Sequence, residues 1–387
     1  MINHILTPRR LVVGGGSIKQ LPEVLRQLNI ARPLLIADPN LVRLGLSEPV
    51  ENVLREAGVP YPLFTDVVED PTDTCVNAAA TAISQGNHDG AIGFGGGSAI
   101  DTAKAAAVVA SLKEPIRALM VPRIVDETAM PVLAIPTTAG TGSEVTRACV
   151  VTDSTSHEKM LILGIACLPA AAIVDFEFTL SCPFRVTADT GLDALTHALE
   201  ALVNRNRNPH ADALALSALK LIGANLEKAC FEPTNRIARE AMMLGAMHAG
   251  LAVSNTSTAL VHGMSRPLGA FFHVPHGLSN AMLLASVTEF SAPAAPGPYA
   301  AAARALGWAG DGSSEADAVA ALVAGFHRLN DVLKVPTLAA FGIDKARYFE
   351  LRDAMAVQAL QSGTPANNPR LATEHEIVEI YAAAWAD

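Results

Sequence analysis

In the first half of the chain, apolar positions gather into short runs that each stop at a polar or glycine-rich turn. The run 34–37 ends at Asp38, 91–94 runs into Gly95-Gly96-Gly97, and 131–135 runs into Pro136-Thr137-Thr138. Between them, segments 18–28, 76–84 and 99–110 repeat apolar residues at the three-and-four spacing of a helix. Strand and helix alternating from Leu11 to about Asp175 predict a parallel sheet with helices on its faces. Ligands in such sheets bind at the carboxyl ends of the strands, where these turns fall. Beyond about Ser181 the strand pattern fades. Long Ala/Leu-rich helical stretches follow at 188–203, 211–226, 236–251, 315–333 and 374–384, and the Pro/Ala-rich stretch 292–298 reads as a loop. The expectation is an α/β domain over 1–181, an all-helical domain over 182–387, and a cleft between them.

Composition narrows the partners. Half of the 387 residues are hydrophobic and 17% are charged, as in a well-packed globular protein. A net charge of -10 argues against nucleic acid and anionic membranes, which require a basic surface. The five cysteines are scattered with no CxxC pair, so reduced thiols are expected rather than a zinc knuckle or disulfide framework. The amino terminus shows no apolar signal core, and no apolar run reaches the ~18–20 residues of a membrane helix. The expectation is a soluble, cytoplasmic protein.

The turns carry the first chemical signal. Backbone without side chains at Gly96 and Gly97, followed by Ser98 at the start of a helix, suits a pyrophosphate, because the helix amino terminus offers unpaired N–H groups and a positive dipole end. The spacing is neither the dinucleotide fingerprint Gly-x-Gly-x-x-Gly nor a Walker loop, so a plain tight turn is the alternative. Asp38 at a strand end suits the two hydroxyls of an adenosine ribose and would repel a 2′-phosphate; its alternative is to start a turn with Pro39. Residues 137–144, Thr-Thr-Ala-Gly-Thr-Gly-Ser-Glu, crowd hydroxyls and free backbone into a third such turn.

The second signal is metal-like. Asp193 and His197 lie four apart on a predicted helix, which places them on one face with Cβ atoms roughly 5–6 Å apart. His262 and His276 follow, fourteen apart. One carboxylate and three imidazoles suit Fe2+ or Zn2+ and are too nitrogen-rich for Mg2+ or Ca2+. The bare spacing is equally compatible with core histidines.

The segments Gly95-Gly96-Gly97-Ser98-x-x-Asp101, residues 136–144, residues 191–200 (Gly-Leu-Asp-Ala-Leu-Thr-His-Ala-x-Glu) and Pro275-His276-Gly277 together resemble the motifs of the iron-containing alcohol dehydrogenase family, in its order and over essentially the whole chain. The resemblance implies a dehydroquinate synthase-like fold, with an α/β dinucleotide-binding amino-terminal domain and an all-α metal-binding carboxy-terminal domain. It places the metal ligands at Asp193, His197, His262 and His276, and the nucleotide contacts at Asp38, Gly96, Gly97, Ser98, Thr137, Thr138, Thr146 and Lys159. It also implies NAD, Fe2+ (with Zn2+ as the other option), a homo-oligomer, and a small alcohol or carbonyl substrate. Two departures stand out. Many members carry histidine, thought to relay a proton, where this chain has Arg266, which stays protonated. Arg266 is therefore the candidate catalytic-site contact for an anionic substrate, a hydroxy acid or semialdehyde, with simple packing as the alternative. Asp70 stands where members often have Asn. Zinc-dependent polyol oxidation of the glycerol dehydrogenase type is the nearest other reading, followed by maleylacetate-reductase-like reduction, a dehydroquinate-synthase-like lyase, and a binding protein with a vestigial site.

Overall fold

The computed structural model describes residues 2–156 and 158–385. The chain divides into two compact units, one running from His4 to Ser181 and the other holding the rest of the described chain.

The first unit contains the strands β1 (Arg10–Val13), β2 (Pro33–Ala37), β3 (Leu63–Phe64), β4 (Gly90–Gly95), β5 (Val132–Pro136), β6 (Ala148–Thr152), β7 (Lys159–Leu163) and β8 (Ala171–Val174). Its helices are α1 (Leu21–Gln27), α2 (Pro39–Arg43), α3 (Glu48–Glu56), α4 (Asp73–Gln85) and α5 (Gly97–Leu112). Six strands form one sheet in the order β1-β8-β5-β4-β2-β3, every pair parallel. Strands β2, β4, β5 and β8 are buried at every position, as continuous apolar strands covered on both faces must be. Successive residues of β2 show the pleat. Leu34 and Ile36 join the core with Val76 and Ile83 of α4 and Ala103 of α5, while Leu35 and Ala37 join Leu21 and Val24 of α1 and Leu54 of α3.

From β2 the chain steps outward to β3 and then returns past β2 to β4, so the topology reverses between β2 and β4. A crevice at such a switch point is where open α/β sheets bind ligands. The structure adds an antiparallel hairpin, β6 with β7, that the sequence pattern does not separate from the parallel sheet.

The second unit is helical: α6 (Phe184–Val203), α7 (Pro209–Phe231), α8 (Arg236–Ser254), α9 (Leu260–Phe272), α10 (His276–Ser291), α11 (Pro296–Ala305), α12 (Glu315–Val332), α13 (Leu338–Phe341), α14 (Lys345–Gln361) and α15 (Glu374–Ala384). The expected loop at 292–298 is corrected here to a short 3-10 turn, Ala292–Ala294, followed by the start of α11. Pro296 occupies the first position of α11, where an N–H would have no intrahelical partner and the fixed φ of proline suits the helix. Helix α6 is buried at every residue from Gly191 to Val203 and forms the spine of this unit. No helix among the described residues is long and apolar enough to cross a membrane.

Candidate functional site

In the first unit, the three turns singled out in the sequence meet at neighbouring strand ends. Asp38 follows β2, Gly96 and Gly97 open α5 after β4, and Thr137 and Thr138 follow β5. The Thr137 N–H donates to Gly95 O at 3.0 Å, and the Asp38 N–H donates to Phe94 O at 3.2 Å. Gly95 has φ 149°, a conformation L side chains rarely adopt, and a Cβ there would fall 2.8 Å from Ala99 Cβ. A Cβ on Gly97 would lie 2.9 Å from Thr141 Cγ2, so a side chain there would crowd the α5 amino terminus against the 137–144 turn. Asp38 realises the turn-starting alternative: its Oδ1 accepts the amides of Asn40 (2.7 Å) and Leu41 (3.3 Å) as the cap of α2. Its Oδ2 has no hydrogen bond to the described residues. Beside these turns lies an apolar cavity of about 320 Å³, lined by Leu41, Leu46, Phe94, Thr137, Phe178 and Leu180 among others.

Two predicted contacts have protein partners of their own. The Thr146 hydroxyl accepts from Lys104 Nζ at 3.2 Å, and Lys159 pairs with Asp70 at 2.8 Å. Lys104 is fully buried and also donates to Ser143 O and Oγ (3.0 Å each) and to Ala148 O, while Asp101 accepts from Ser143 Oγ and from the Val150 N–H. The network ties α5 to the 137–146 turn and to β6.

Glu144 sits inside this layer, 3% exposed. Burial pushes its carboxyl up to about 7, only partly opposed by its own backbone N–H and by Lys104. Below its unfolded pKa the group is neutral in both states. Between that value and about 7 the folded chain holds a proton that the unfolded chain releases, so Glu144 removes stability as pH rises through this window. Glu144→Gln should abolish that part of the slope. In urea unfolding, the variant is expected to gain on the natural protein by on the order of 2–3 kcal/mol between about pH 4.5 and 7.5. A difference independent of pH would contradict the assignment.

In the helical unit, Asp193, His197 and Glu200 occupy one stripe of α6, all at most 7% exposed. His262 enters from the first turn of α9. His273 ends α9 in the left-handed conformation (φ 55°), and the chain returns through Val274-Pro275 into α10 with His276 first. Gly277 makes the approach possible, since a Cβ there would fall 2.2 Å from Asp189 O on α6.

Asp193 Oδ1 lies 3.4 Å from His262 Nε2 and 3.6 Å from His276 Nε2, and Asp193 Oδ2 lies 4.0 Å from His197 Nδ1. The His197 ring stacks on His262 with centroids 4.5 Å apart, and His276 follows at 5.2 Å from His262. Asp193, His262 and His276 each present one ligand atom within 4.8 Å of the others. Three of the four residues expected at the metal are thus brought together, and His197 lies beside them, its Nδ1 4.0 Å from Asp193 Oδ2. His276 is the accessible member, with its side chain 46% exposed.

Two residues of this cluster were not assigned from the sequence. Glu200 lies seven residues after Asp193, two turns along the same stripe. It accepts His262 Nδ1 at 2.6 Å and the α9 amino-terminal amides of Ala259 (2.8 Å), Val261 (2.6 Å) and His262 (3.3 Å). Asn280, four residues after His276, donates to Asp193 Oδ1 at 2.8 Å, and its own buried Oδ1 has no partner among the described residues.

Burial alone would raise the Asp193 carboxyl, but the surrounding imidazoles of His197, His276 and His262 hold it well below the usual range. Burial alone would lower His262, but Glu200 and Asp193 lift it to about 9. A position that stabilises a proton between two carboxylates stabilises a divalent cation by the same field. Glu200 takes the proton on Nδ1, so Nε2, 3.4 Å from Asp193 Oδ1 and 3.3 Å from Asn280 Nδ2, is the atom at which a cation can replace a proton.

Known proteins resemble this chain along its length. The family described as "Iron-containing alcohol dehydrogenase" matches residues 8–176, and "Fe-containing alcohol dehydrogenase family, C-terminal" matches 187–385. An NAD-dependent methanol dehydrogenase of Bacillus methanolicus is 36% identical over 98% of this chain and 99% of its own. The crystal structure of a 1,3-propanediol oxidoreductase superposes with a TM-score of 0.94 at 32% identity, covering 99% of this chain and 100% of that one. A sulfoacetaldehyde reductase from Bifidobacterium kashiwanohense, solved with NAD+, gives 0.89 at 27% identity, covering 100% and 99%.

Proposed function

The chain belongs to the iron-containing alcohol dehydrogenase family, and from that premise we propose that it interconverts a small alcohol and its aldehyde or ketone, using NAD and an Fe2+ ion held by Asp193, His197, His262 and His276. The observation that carries the reading is the convergence of Asp193 Oδ1 with the Nε2 atoms of His262 and His276, in a pocket where Glu200 fixes the imidazole tautomer. Three nitrogens and one oxygen fit Fe2+ and would equally accept Zn2+.

Bound there, the ion supplies Lewis acidity to the alcohol or carbonyl oxygen, and NAD supplies the hydride acceptor. The residues do the rest. Asp193 contributes the one negative charge among the four ligands. Glu200 accepts the Nδ1 proton of His262 and so orients the ring with Nε2 toward the ion. Asn280 holds Asp193 through Oδ1 and keeps an amide oxygen available in the same pocket. In the α/β unit, Gly96, Gly97 and Ser98 leave the α5 amino terminus open to a pyrophosphate, with Thr137 and Thr138 at its side. The free Oδ2 of Asp38 suits a ribose hydroxyl, and the apolar cavity between Leu41 and Phe178 suits a flat adenine. Thr146 is tied to α5 through Lys104, and Lys159 pairs with Asp70. The methanol and 1,3-propanediol enzymes among the relatives support a short alcohol, and the NAD+ complex of the sulfoacetaldehyde reductase supports the choice of dinucleotide.

The test is protein loaded anaerobically with Fe2+ or Zn2+ and offered alcohols, diols and hydroxy acids with NAD. NADH formation that a chelator abolishes is expected with a short primary alcohol; no turnover with any of them would contradict the reading. Glu200→Gln is expected to weaken iron binding about 10–100-fold, the usual cost of losing a carboxylate behind a ligating histidine. Competition against a fluorescent chelator measures this, and unchanged affinity would remove Glu200 from its role.

A further inference from the structure

Arg266 sits on α9 one turn beyond His262, on the same helical face, with Cβ atoms roughly 5–6 Å apart. Its side chain is partly buried, yet no carboxylate or carbonyl among the described residues accepts a hydrogen bond from it and no ion pair engages it. The nearby carboxylates are taken. Both oxygens of Glu200 are saturated by three amides and the His262 ring, and Asp193 is shared among Asn280 and the imidazoles. A guanidinium carries five donors in a fixed fork suited to a planar or tetrahedral oxyanion, and this one has no protein acceptor among the described residues.

We propose that Arg266 receives an acidic group at the far end of the substrate, so that the preferred alcohol is a short ω-hydroxy acid and the preferred carbonyl its semialdehyde. This rests on the alcohol dehydrogenase reading above. The carbinol carbon gives a hydride to NAD+ and the hydroxyl gives a proton to water, yielding aldehyde, NADH and H+, while the anionic group passes through unchanged. Carboxylate, sulfonate and phosphonate share the chemistry that the fork recognises.

The experiment uses iron-loaded full-length protein and matched pairs of alcohols: 3-hydroxypropionate against 1-propanol, 4-hydroxybutyrate against 1-butanol, and 2-hydroxyethanesulfonate and 2-hydroxyethylphosphonate against ethanol. The natural protein is expected to favour at least one anionic member by about tenfold or more in kcat/KM, and the best anion class identifies the oxyanion. Arg266→Met is expected to lower the anionic-to-neutral ratio about 100-fold, chiefly through KM, with Arg266→Lys in between. Neutral alcohols preferred throughout, or equal losses for both classes in Arg266→Met, would overturn the proposal while leaving the dehydrogenase reading intact. Absence of all turnover would overturn that reading instead. Binding then still decides the role of Arg266: succinate, malonate or ethanesulfonate should raise the Tm of the natural protein and not of Arg266→Met, and a Tm shift of the same size in both would refute it.

Discussion

Asp193→Asn is expected to lower kcat/KM for alcohol oxidation about a thousandfold and to leave the purified protein nearly free of iron. The substitution keeps the size of the side chain and its place beside Asn280, and removes a negative charge that three imidazoles share. Losing the ion forfeits several kcal/mol of stabilisation at the reacting oxygen, and each ~1.4 kcal/mol is a factor of ten. Iron per chain, measured by plasma mass spectrometry beside the steady-state rates, should fall with activity. If the Asp193→Asn variant retains both iron and rate, the carboxylate is not a ligand.

The second large effect concerns the cofactor. Asp38→Gly should shift the ratio of kcat/KM for NADP to that for NAD by about 100-fold toward NADP. A carboxylate at this strand end loses a ribose contact when replaced and ceases to repel a 2′-phosphate, and like charges brought together cost several kcal/mol. The structure adds a control. Asp38 also caps α2, but glycine is a tolerated cap that costs only a few tenths of a kcal/mol, so the fold should hold. Kinetics with both dinucleotides at fixed alcohol check this, and an unchanged ratio would confine Asp38 to its capping role.

The legible parts of the chain are those where a local pattern and the tertiary environment agree. Strands β2, β4 and β5 are buried on both faces, so their apolar runs are unbroken and their ends are marked by Asp38, the glycines and the threonines. The β6–β7 hairpin alternates half-buried and buried positions, and nothing in its pattern distinguishes it from the parallel strands around it. Residues 292–298 look like a loop because proline usually forms one, although in the first turn of a helix it has no hydrogen bond to forfeit. Asp193 and His197 announce themselves by helical spacing. His262 and His276 do not, because their meeting depends on the left-handed turn at His273 and on Gly277 pressing against α6. Glu200 and Asn280 escape notice even though each follows a cluster member at helical spacing, by seven and four residues. A carboxylate that caps another helix and an amide that braces a ligand look like ordinary polar residues until α9 and α10 are in place. The Lys159–Asp70 pair joins residues distant in sequence, with no local signal at either.

The most direct measurement is diffraction from crystals of iron-loaded protein at wavelengths on either side of the iron absorption edge. One anomalous peak per chain is expected, bonded to a carboxylate oxygen of Asp193 and to one nitrogen each of His197, His262 and His276, with a coordination position left open. A peak elsewhere, or the four side chains turned away from one another around an ion-free pocket, would contradict that expectation.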